Sequence, residues 1–446
     1  MRSIFSLLLV GWIWVSVIPK ASGATLSECI RTALAKNPNA GAAELRVEAS
    51  QAMIAEAKSA YYPMMFLAGN YALTDNPTQA FMMELNQRKL DIRAPGFDPN
   101  QPDDTDNFRF SIGLKYRLYD RGKRGIRKTM AELGKDAATE RLSSVQNELI
   151  HQVTRGYYNV LQVQDLVRVQ NETITSLEEN LRVARERYGA GSVVKTDVLN
   201  LEVRLAQARE DLIRAQNGVQ LAIAALNTAI GEEIIAPEGI RAPPRTEDLP
   251  LPQKPDPQSI ENRSELQAAR KQTLMKEQEY KDAFSDYYPS INAFGSYDFD
   301  SESIDDFEDS YLVGVVAEWE FFSGFRTNNA VKKSNRQWQA ARKDEENLRN
   351  NLKLDLQRAY IQALEAWQRL AVVRKSVESA REALRITRVR YREGAANITD
   401  LLTAQVGLTA SQSRDVAAYY DYLTALSNLE RAQGRLVTDY VGAEKK

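Results

Sequence analysis

The chain has 446 residues, 26% of them charged and 43% hydrophobic, with a formal net charge of −2. That composition suits a folded protein of two or three domains. The charge balance excludes the basic face of a nucleic-acid binder. A single cysteine, Cys29, excludes an internal disulfide framework, and a single histidine, His151, excludes a histidine-rich metal site and most triad chemistry.

In chain order, residues 1–23 read as an export signal. Arg2 supplies the positive start, Ile4 to Ile18 the apolar run, and Ala21-Ser22-Gly23 the small residues at the cleavage positions. A lipoprotein signal using Cys29 is disfavoured, because Glu28 stands where a small residue is needed. Cys29 is therefore expected to be buried and inert on the first mature helix. After the signal there is no stretch of ~18 apolar residues, hence no transmembrane helix. The mature chain is periplasmic, secreted, or a β-barrel in the outer membrane.

The mature chain is two copies of one unit, 24–235 and 258–440, joined by a Pro-rich linker at 236–257 and followed by a tail at 441–446. Tyr61-Tyr62-Pro63 returns as Tyr287-Tyr288-Pro289, and Arg155-Gly156-Tyr157 as Arg358-Ala359-Tyr360. Arg187-Tyr188-x-x-Gly191 with Asp197 returns as Arg390-Tyr391-x-x-Gly394 with Asp400. Three matches in the same order exclude chance. Each copy reads helix, strand, loop, strand, long helix, turn, helix. The first copy has a helix at 25–59, strands at 61–74 and 107–118, a long helix at 124–188 and a helix at 196–230. The second has strands at 289–299 and 310–321 and a long helix at 327–391.

Pro63 and Pro289 mark the helix-to-strand switch, since proline stops a helix and needs no ladder donor at a strand's start. The strands alternate: Phe108, Phe110, Ile112, Leu114 and Tyr116 share an apolar face, with Arg109, Ser111, Lys115 and Arg117 opposite. This is the pattern of a wall between lipid and water. A half-buried soluble sheet alternates in the same way, but export and four strands of spanning length favour the wall. The acidic loop 298–309 reads as solvated rather than chelating, and Phe81, Met82 and Met83 in the long loop 75–107 as packing over the barrel mouth.

At ~1.5 Å per residue each long helix spans on the order of 100 Å, twice its shorter neighbours, so the helical part is expected to stack into a tall cylinder. A heptad row from Val194 through Val198, Leu201, Leu205, Ala208 and on to Ala229 runs without a slip. Its counterpart from Leu401 to Ala432 is more polar, including Ser411 and Asp415. Four strands cannot close a membrane barrel, so the protomer must oligomerise, and a trimer supplies twelve strands.

These motifs resemble the TolC-like outer-membrane efflux family over nearly the whole mature chain. Leu118-Tyr119-Asp120-x-Gly122 and Phe321-Phe322-Ser323-Gly324 add to the match. The resemblance implies a mainly α protein with a small β part, assembled as a trimer. Its 12-stranded outer-membrane β-barrel, four strands per protomer, continues into a periplasmic α-helical barrel. It implies docking of the tips (Arg187, Tyr188, Gly191, Arg390 and Gly394) on a periplasmic adaptor, and work with an inner-membrane pump or ABC exporter. It implies a gate built by Asp197 and Tyr391, joined by a hydrogen bond, with Asp400 on a constricting acidic ring and Thr403 at the next ring position. A charged link in the family's best-known member needs an arginine where this chain has Ala396, so that link is expected to be absent. The bland reading of Asp197 and Asp400 is N-capping.

The expected function is a passive outer-membrane exit duct for tripartite efflux, reaching from the periplasm to the exterior of a Gram-negative cell. The alternatives are the exit duct of a type I protein secretion system and a non-channel periplasmic coiled coil. No glycine-rich phosphate loop, nucleophile elbow or metal-ligand cluster is present, so neither an enzyme nor a cofactor or metal site is expected.

Overall fold

The computed structural model describes residues 24–236, 240, 245–246 and 249–435. The expected export signal, the tail at 441–446 and part of the linker lie outside the described residues. The first repeat contains α1 (Leu26–Lys36), α2 (Pro38–Ser59), β1 (Met64–Thr74), α3 (Pro77–Asn86), β2 (Thr105–Tyr119), α4 (Lys123–Gly189) and α5 (Lys195–Ile230). After a short 3-10 turn at Pro257–Asn262 come α6 (Ser264–Phe284), β3 (Ser290–Ser301), β4 (Glu308–Glu318), α7 (Arg326–Arg392) and α8 (Ile398–Gln433). The described chain divides into two compact units: the described residues of 24–40, 146–255 and 357–435 form the first, and 41–145 and 256–356 the second.

The first unit holds the helical cores. α1 opens on a capping box: Glu28 N donates to Thr25 Oγ1 (3.3 Å) and Thr25 N to the Glu28 carboxylate (2.7 Å). Cys29, Ile30 and Ala33 on α1 are buried against Leu149, Ile150 and Val153 of α4 and Leu226 and Ile230 of α5. The single helix expected over 25–59 is instead broken at Asn37, which takes an extended conformation. Pro38 is the cause, since it drives the residue before it out of the helical region. The break is fastened: Asn37 Nδ2 donates to Ala229 O (2.8 Å). Gly231 has φ +89°, and a Cβ there would lie 2.9 Å from Asn37 Cα, so only glycine fits.

A second core joins Leu177, Leu181 and Ala184 of α4, Val198, Leu201 and Leu205 of α5, Leu384 and Tyr391 of α7, and Leu401 of α8. The early part of the α5 heptad row is thus a packing seam, although its first member, Val194, is exposed. The polar members of the α8 row have partners. Asp415 accepts from Arg245 Nη1 of the linker (2.9 Å), and Ser411 meets Ser376 of α7 (3.3 Å). Arg245 also pairs with Asp165 of α4 (2.8 Å) and lies over the rings of Tyr419 and Tyr420. Tyr422 Oη donates to Pro250 O, and Trp367 Nε1 to Leu249 O (3.4 Å). The described linker residues are therefore clamped mainly on the second repeat, with Arg245 also held by α4 of the first.

The second unit holds one antiparallel sheet in the order β1-β2-β3-β4, leaving β1 and β4 as its edges. The expected strand limits move at every end except the last residue of β1, Thr74. β1 starts at Met64 rather than 61, because the amides of Tyr61 and Tyr62 are spent on turn bonds to Lys58 O and Ser59 O, and Pro63 has none. β2 is longer than 107–118, running from Thr105 to Tyr119, with a bulge between Arg117 and Tyr119 that keeps Tyr119 opposite Ile291. β3 extends to Ser301. β4 runs from Glu308 to Glu318, short of 321, because Phe321 N turns back to Trp319 O. The loop 75–107 contains α3, capped by Asn76 and opened by Pro77. The long helices each carry 67 residues, one more at either end than expected, and α5 and α8 carry 36 each.

Candidate functional site: the paired tips and the two-faced sheet

Each tip turns by the same Schellman-type closure. Gly191 N donates to Tyr188 O (2.9 Å) and Ser192 N to Arg187 O (2.8 Å). Gly394 N donates to Tyr391 O (3.1 Å) and Ala395 N to Arg390 O (2.7 Å). Both glycines lie at positive φ, +74° and +79°. Backbone chemistry thus makes the two turns alike, and the side chains make them differ.

Arg187 leaves its own tip. Its Nη1 donates to Tyr391 O, and its guanidinium sits 5.2 Å from the Tyr391 ring centroid. Arg390, its counterpart, stays local, donating to Ala395 O (3.2 Å). Tyr391 is 2% exposed, whereas Tyr188 is 46% exposed. Burial pushes the Tyr391 phenol above its ordinary range, and the charge of Asp197 pushes the same way.

The expected Asp197–Tyr391 hydrogen bond is not formed. Tyr391 Oη is buried without a partner, and Asp197 lies half-buried as the third residue of α5. The reason is local: Tyr391 is held by packing and by Arg187, which takes its carbonyl and ring face and leaves the hydroxyl aimed elsewhere. Ala396 packs against the second core. Asp400 and Thr403 are both exposed, one turn apart on α8. Asp400 also completes a capping box, accepting from Asn397 N (3.4 Å) while its own amide donates to Asn397 Oδ1 (2.9 Å). Asp197 makes no such box, because Val194 stands at its N-cap.

A polar ladder between the repeats was not legible in the sequence. Ser176 Oγ of α4 donates to Gln405 Oε1 of α8 (2.5 Å) and receives from Arg388 Nη2 of α7 (2.6 Å). Thr173 meets Thr409 at 2.9 Å, Gln412 Nε2 donates to Glu172 (3.1 Å), and Arg392 reaches Glu179 at 3.4 Å. Gln405 is buried, an unusual place for glutamine, and it lies beside the α8 heptad row rather than in it.

The sheet has two chemically distinct faces. Directly paired residues share a face, so Met65, Leu67 and Tyr71 lie with Ile112, Leu114, Tyr297, Val313 and Val315. On that face Leu67 is 82% exposed and Val313 76% exposed, unpaid apolar surface in a single copy. The opposite face carries Asn70, Arg109, Ser111, Lys115, Arg117, Asn292, Ser296, Asp298 and Asp300. Its outer end is tied by Arg109 Nε donating to Asp300 (2.8 Å), Asn107 to Asp300 (2.6 Å) and Gln87 to Asn107 (3.0 Å). Gln87 follows α3, and Ala80 of α3 is fully buried, so the long loop folds onto this polar face. Phe81, Met82 and Met83 are carried on that helix. Among the described residues no group of three or more His, Cys, Asp or Glu is placed to hold a metal ion, and no helix is long and apolar enough to cross a membrane.

Two strand pairs, one from each helical repeat, joined into a single two-faced sheet define the class of outer-membrane channel protomers. The chain belongs to the outer membrane efflux protein family, whose model matches residues 29–232 and 257–435. It is 24% identical to the outer membrane efflux protein BepC of Brucella suis over 94% of this chain and 88% of that protein. It is likewise 24% identical to the alkaline protease secretion protein AprF of Pseudomonas aeruginosa, over 75% and 71%. The Campylobacter jejuni CmeC outer membrane channel shares the fold with a TM-score of 0.80 at 15% identity, over 94% of this chain and 89% of that one. The protein is thus an outer-membrane channel of a Gram-negative cell, not an enzyme. The non-channel coiled coil is set aside by that membership.

Proposed function

We propose that three copies of this chain close edge to edge into a pore, and that the pore is the exit duct of a tripartite efflux system. The observation that carries the reading is the sheet itself: two unpaired edges, one apolar face and one polar face. Neither edge nor apolar face is stable in water, and symmetric closure in lipid removes both liabilities. Twelve strands then enclose a polar lumen, with the apolar face on lipid.

In this reading the tips dock on a periplasmic adaptor through Arg187, Tyr188, Gly191, Arg390 and Gly394. Asp400, exposed beside Thr403 one turn on, forms a ring of three carboxylates at the periplasmic constriction. The N-capping role of Asp400 and the ring role are compatible, since a capping carboxylate keeps an oxygen for solvent. The gate's closing contact is assigned to Arg187 on Tyr391 rather than to Asp197. An inner-membrane pump selects the cargo. The secretion reading rests on the similarity to AprF, named for alkaline protease secretion.

Purified protein in planar bilayers tests the reading. The expected result is a resistant trimer whose conductance prefers cations, with the preference weakened in Asp400→Ala. A conducting trimer with unchanged selectivity in that variant removes Asp400 from the constriction, and a soluble monomer removes the channel. Loss of a small-molecule resistance on gene deletion supports efflux; loss of one exported protein supports secretion instead.

A further inference from the structure

The polar face of the sheet is not uniform along its strands. At its outer end lie Asp298, Asp300 and Glu308, partly answered by Arg109 on Asp300 and Arg88 on Glu308 (2.7 Å). At the end nearer the Pro63 and Pro289 switches the charges invert. Lys115 and Arg117 of β2 are both exposed there. Arg117 makes one long hydrogen bond, to the neutral Asn292 (3.4 Å), and Lys115 lies 5.3 Å from the Phe66 ring centroid. Among the described residues neither has a carboxylate within ion-pair distance. The cations beside them do: Lys123 pairs with Asp286, Arg124 with Asp120 and Arg127 with Asp282. Glu318 shares the face but sits on the edge strand β4.

Two phenyl rings lie flat between these charges. Phe66 is the register partner of Gly113, and a Cβ at Gly113 would lie 2.1 Å from the Phe66 ring. Phe294 is the partner of Gly314, where a Cβ would lie 2.5 Å from its ring. Each ring therefore covers a neighbouring glycine and turns its other side outward from the wall. Lys115 is paired in register with Phe294, and its ammonium lies over the Phe66 ring, so both rings flank the same β2 position. A recess of about 450 Å³ opens beside Phe294, Lys115 and Arg117; Phe66 lies outside its lining, and the one acid that lines it, Asp120, is paired with Arg124.

We propose that this shelf is a contact site for small aromatic anions passing through the lumen. The rings offer a flat apolar surface for stacking, and Lys115 and Arg117 supply charge that no internal acid cancels. A neutral aromatic meets only the rings, and an inorganic anion only the charges. The proposal rests on the channel reading, since the polar face borders a lumen only when the sheet closes.

The test is block of single-channel current by 1-naphthalenesulfonate added to wild-type protein in planar bilayers, with inorganic sulfate and 2-naphthol as partial probes. The expected result is a flickering block by the sulfonate at concentrations where neither partial probe acts. In Lys115→Gln/Arg117→Gln the apparent dissociation constant rises at least about fivefold, as loss of two nearby charges predicts. Lys115→Arg/Arg117→Lys retains the block. Conductance in plain potassium chloride shows that each variant has assembled. Conducting wild-type channels that ignore the sulfonate, or equal block of the wild type and the Gln variant, overturn the shelf and leave the channel standing. Block by sulfate as strong as by the sulfonate overturns the aromatic part of the site. A wild type with no conductance at all defeats the channel reading, and the shelf with it.

Discussion

The two repeats carry the same tip motif and use it differently. In the first, Arg187 crosses to the other hairpin and Tyr188 stays in solvent. In the second, Arg390 bonds to its own turn and Tyr391 is buried. The first descending helix has no side-chain cap, while the second has a full capping box. The linker joins the two sides of this asymmetry, with Arg245 bridging Asp165 on α4 of the first repeat to Asp415 on α8 of the second. A duplicated sequence thus yields equal backbones and unequal contacts, and the contacts are where a gate and an anchor can arise.

The largest effect on that comparison is expected at Arg245. It stands between two carboxylates, Asp165 and Asp415, and over two tyrosine rings, and it is mostly buried. Arg245→Ala leaves Asp415 without its cation and Asp165 with only Arg168, a loss of about 3 kcal/mol by the usual cost of breaking an inward-facing pair. Denaturant unfolding followed by far-UV circular dichroism reads it. Arg245→Ala/Asp415→Asn should recover part of the loss, and an unchanged midpoint for Arg245→Ala would show that the linker is not clamped there.

Next in size is the tip pair. Arg187→Ala removes a charge-assisted bond and a cation–π contact from Tyr391, together about 1–2 kcal/mol. Arg390→Ala removes one exposed bond, about 0.5 kcal/mol or less. In bilayers the first variant should raise resting conductance and the second should not. Equal conductance changes would make the tips functionally equivalent and cancel the asymmetry. Smaller still is the cap. Asn397→Ala should cost about 1 kcal/mol at the start of α8, and Val194→Asp should add up to about the same at the start of α5. Amide exchange in the two first turns measures both.

What was legible in the sequence follows from the range of each signal. Pro63, Pro289, Gly191 and Gly394 act through their own backbone, so the switches and turns were readable where they stand. The alternation of β2 and the α5 seam are periodic and local as well. Asn37 was misread as helical although Pro38 follows it, because the apolar pattern of the flanking turns runs on past the break. The Arg187–Tyr391 contact, the Ser176–Gln405–Arg388 ladder and the Arg245 clamp join positions 80 to 229 residues apart in sequence, as loop closure permits at slowly rising cost. No local pattern reports such a register between hairpins. The charged Asp415 in the α8 row was the visible trace of one of them.

His151 sharpens the comparison from the other direction, because its counterpart in the second repeat, by the spacing of the two copies, is the exposed Leu354. His151 lies on α4 with Nδ1 3.2 Å from Ser427 Oγ of α8. Burial lowers its pKa below the ordinary 6.5, and the positive charge of Arg431 lowers it further, while Glu148 opposes. A histidine with a depressed folded pKa favours the folded state in its neutral form. Its contribution is complete above the unfolded value and is lost as pH falls below about 6.5 toward the folded value, where the unfolded chain takes up the proton first. Unfolding midpoints should therefore fall between pH 7.5 and pH 5, by less than any loss named above. His151→Gln keeps a hydrogen-bonding side chain toward Ser427 and has no proton to gain, so its midpoint should change less over the same range. If wild type and His151→Gln track each other with pH, the acid sensitivity belongs to the carboxylates on the helix surfaces rather than to this buried crossing of the two repeats.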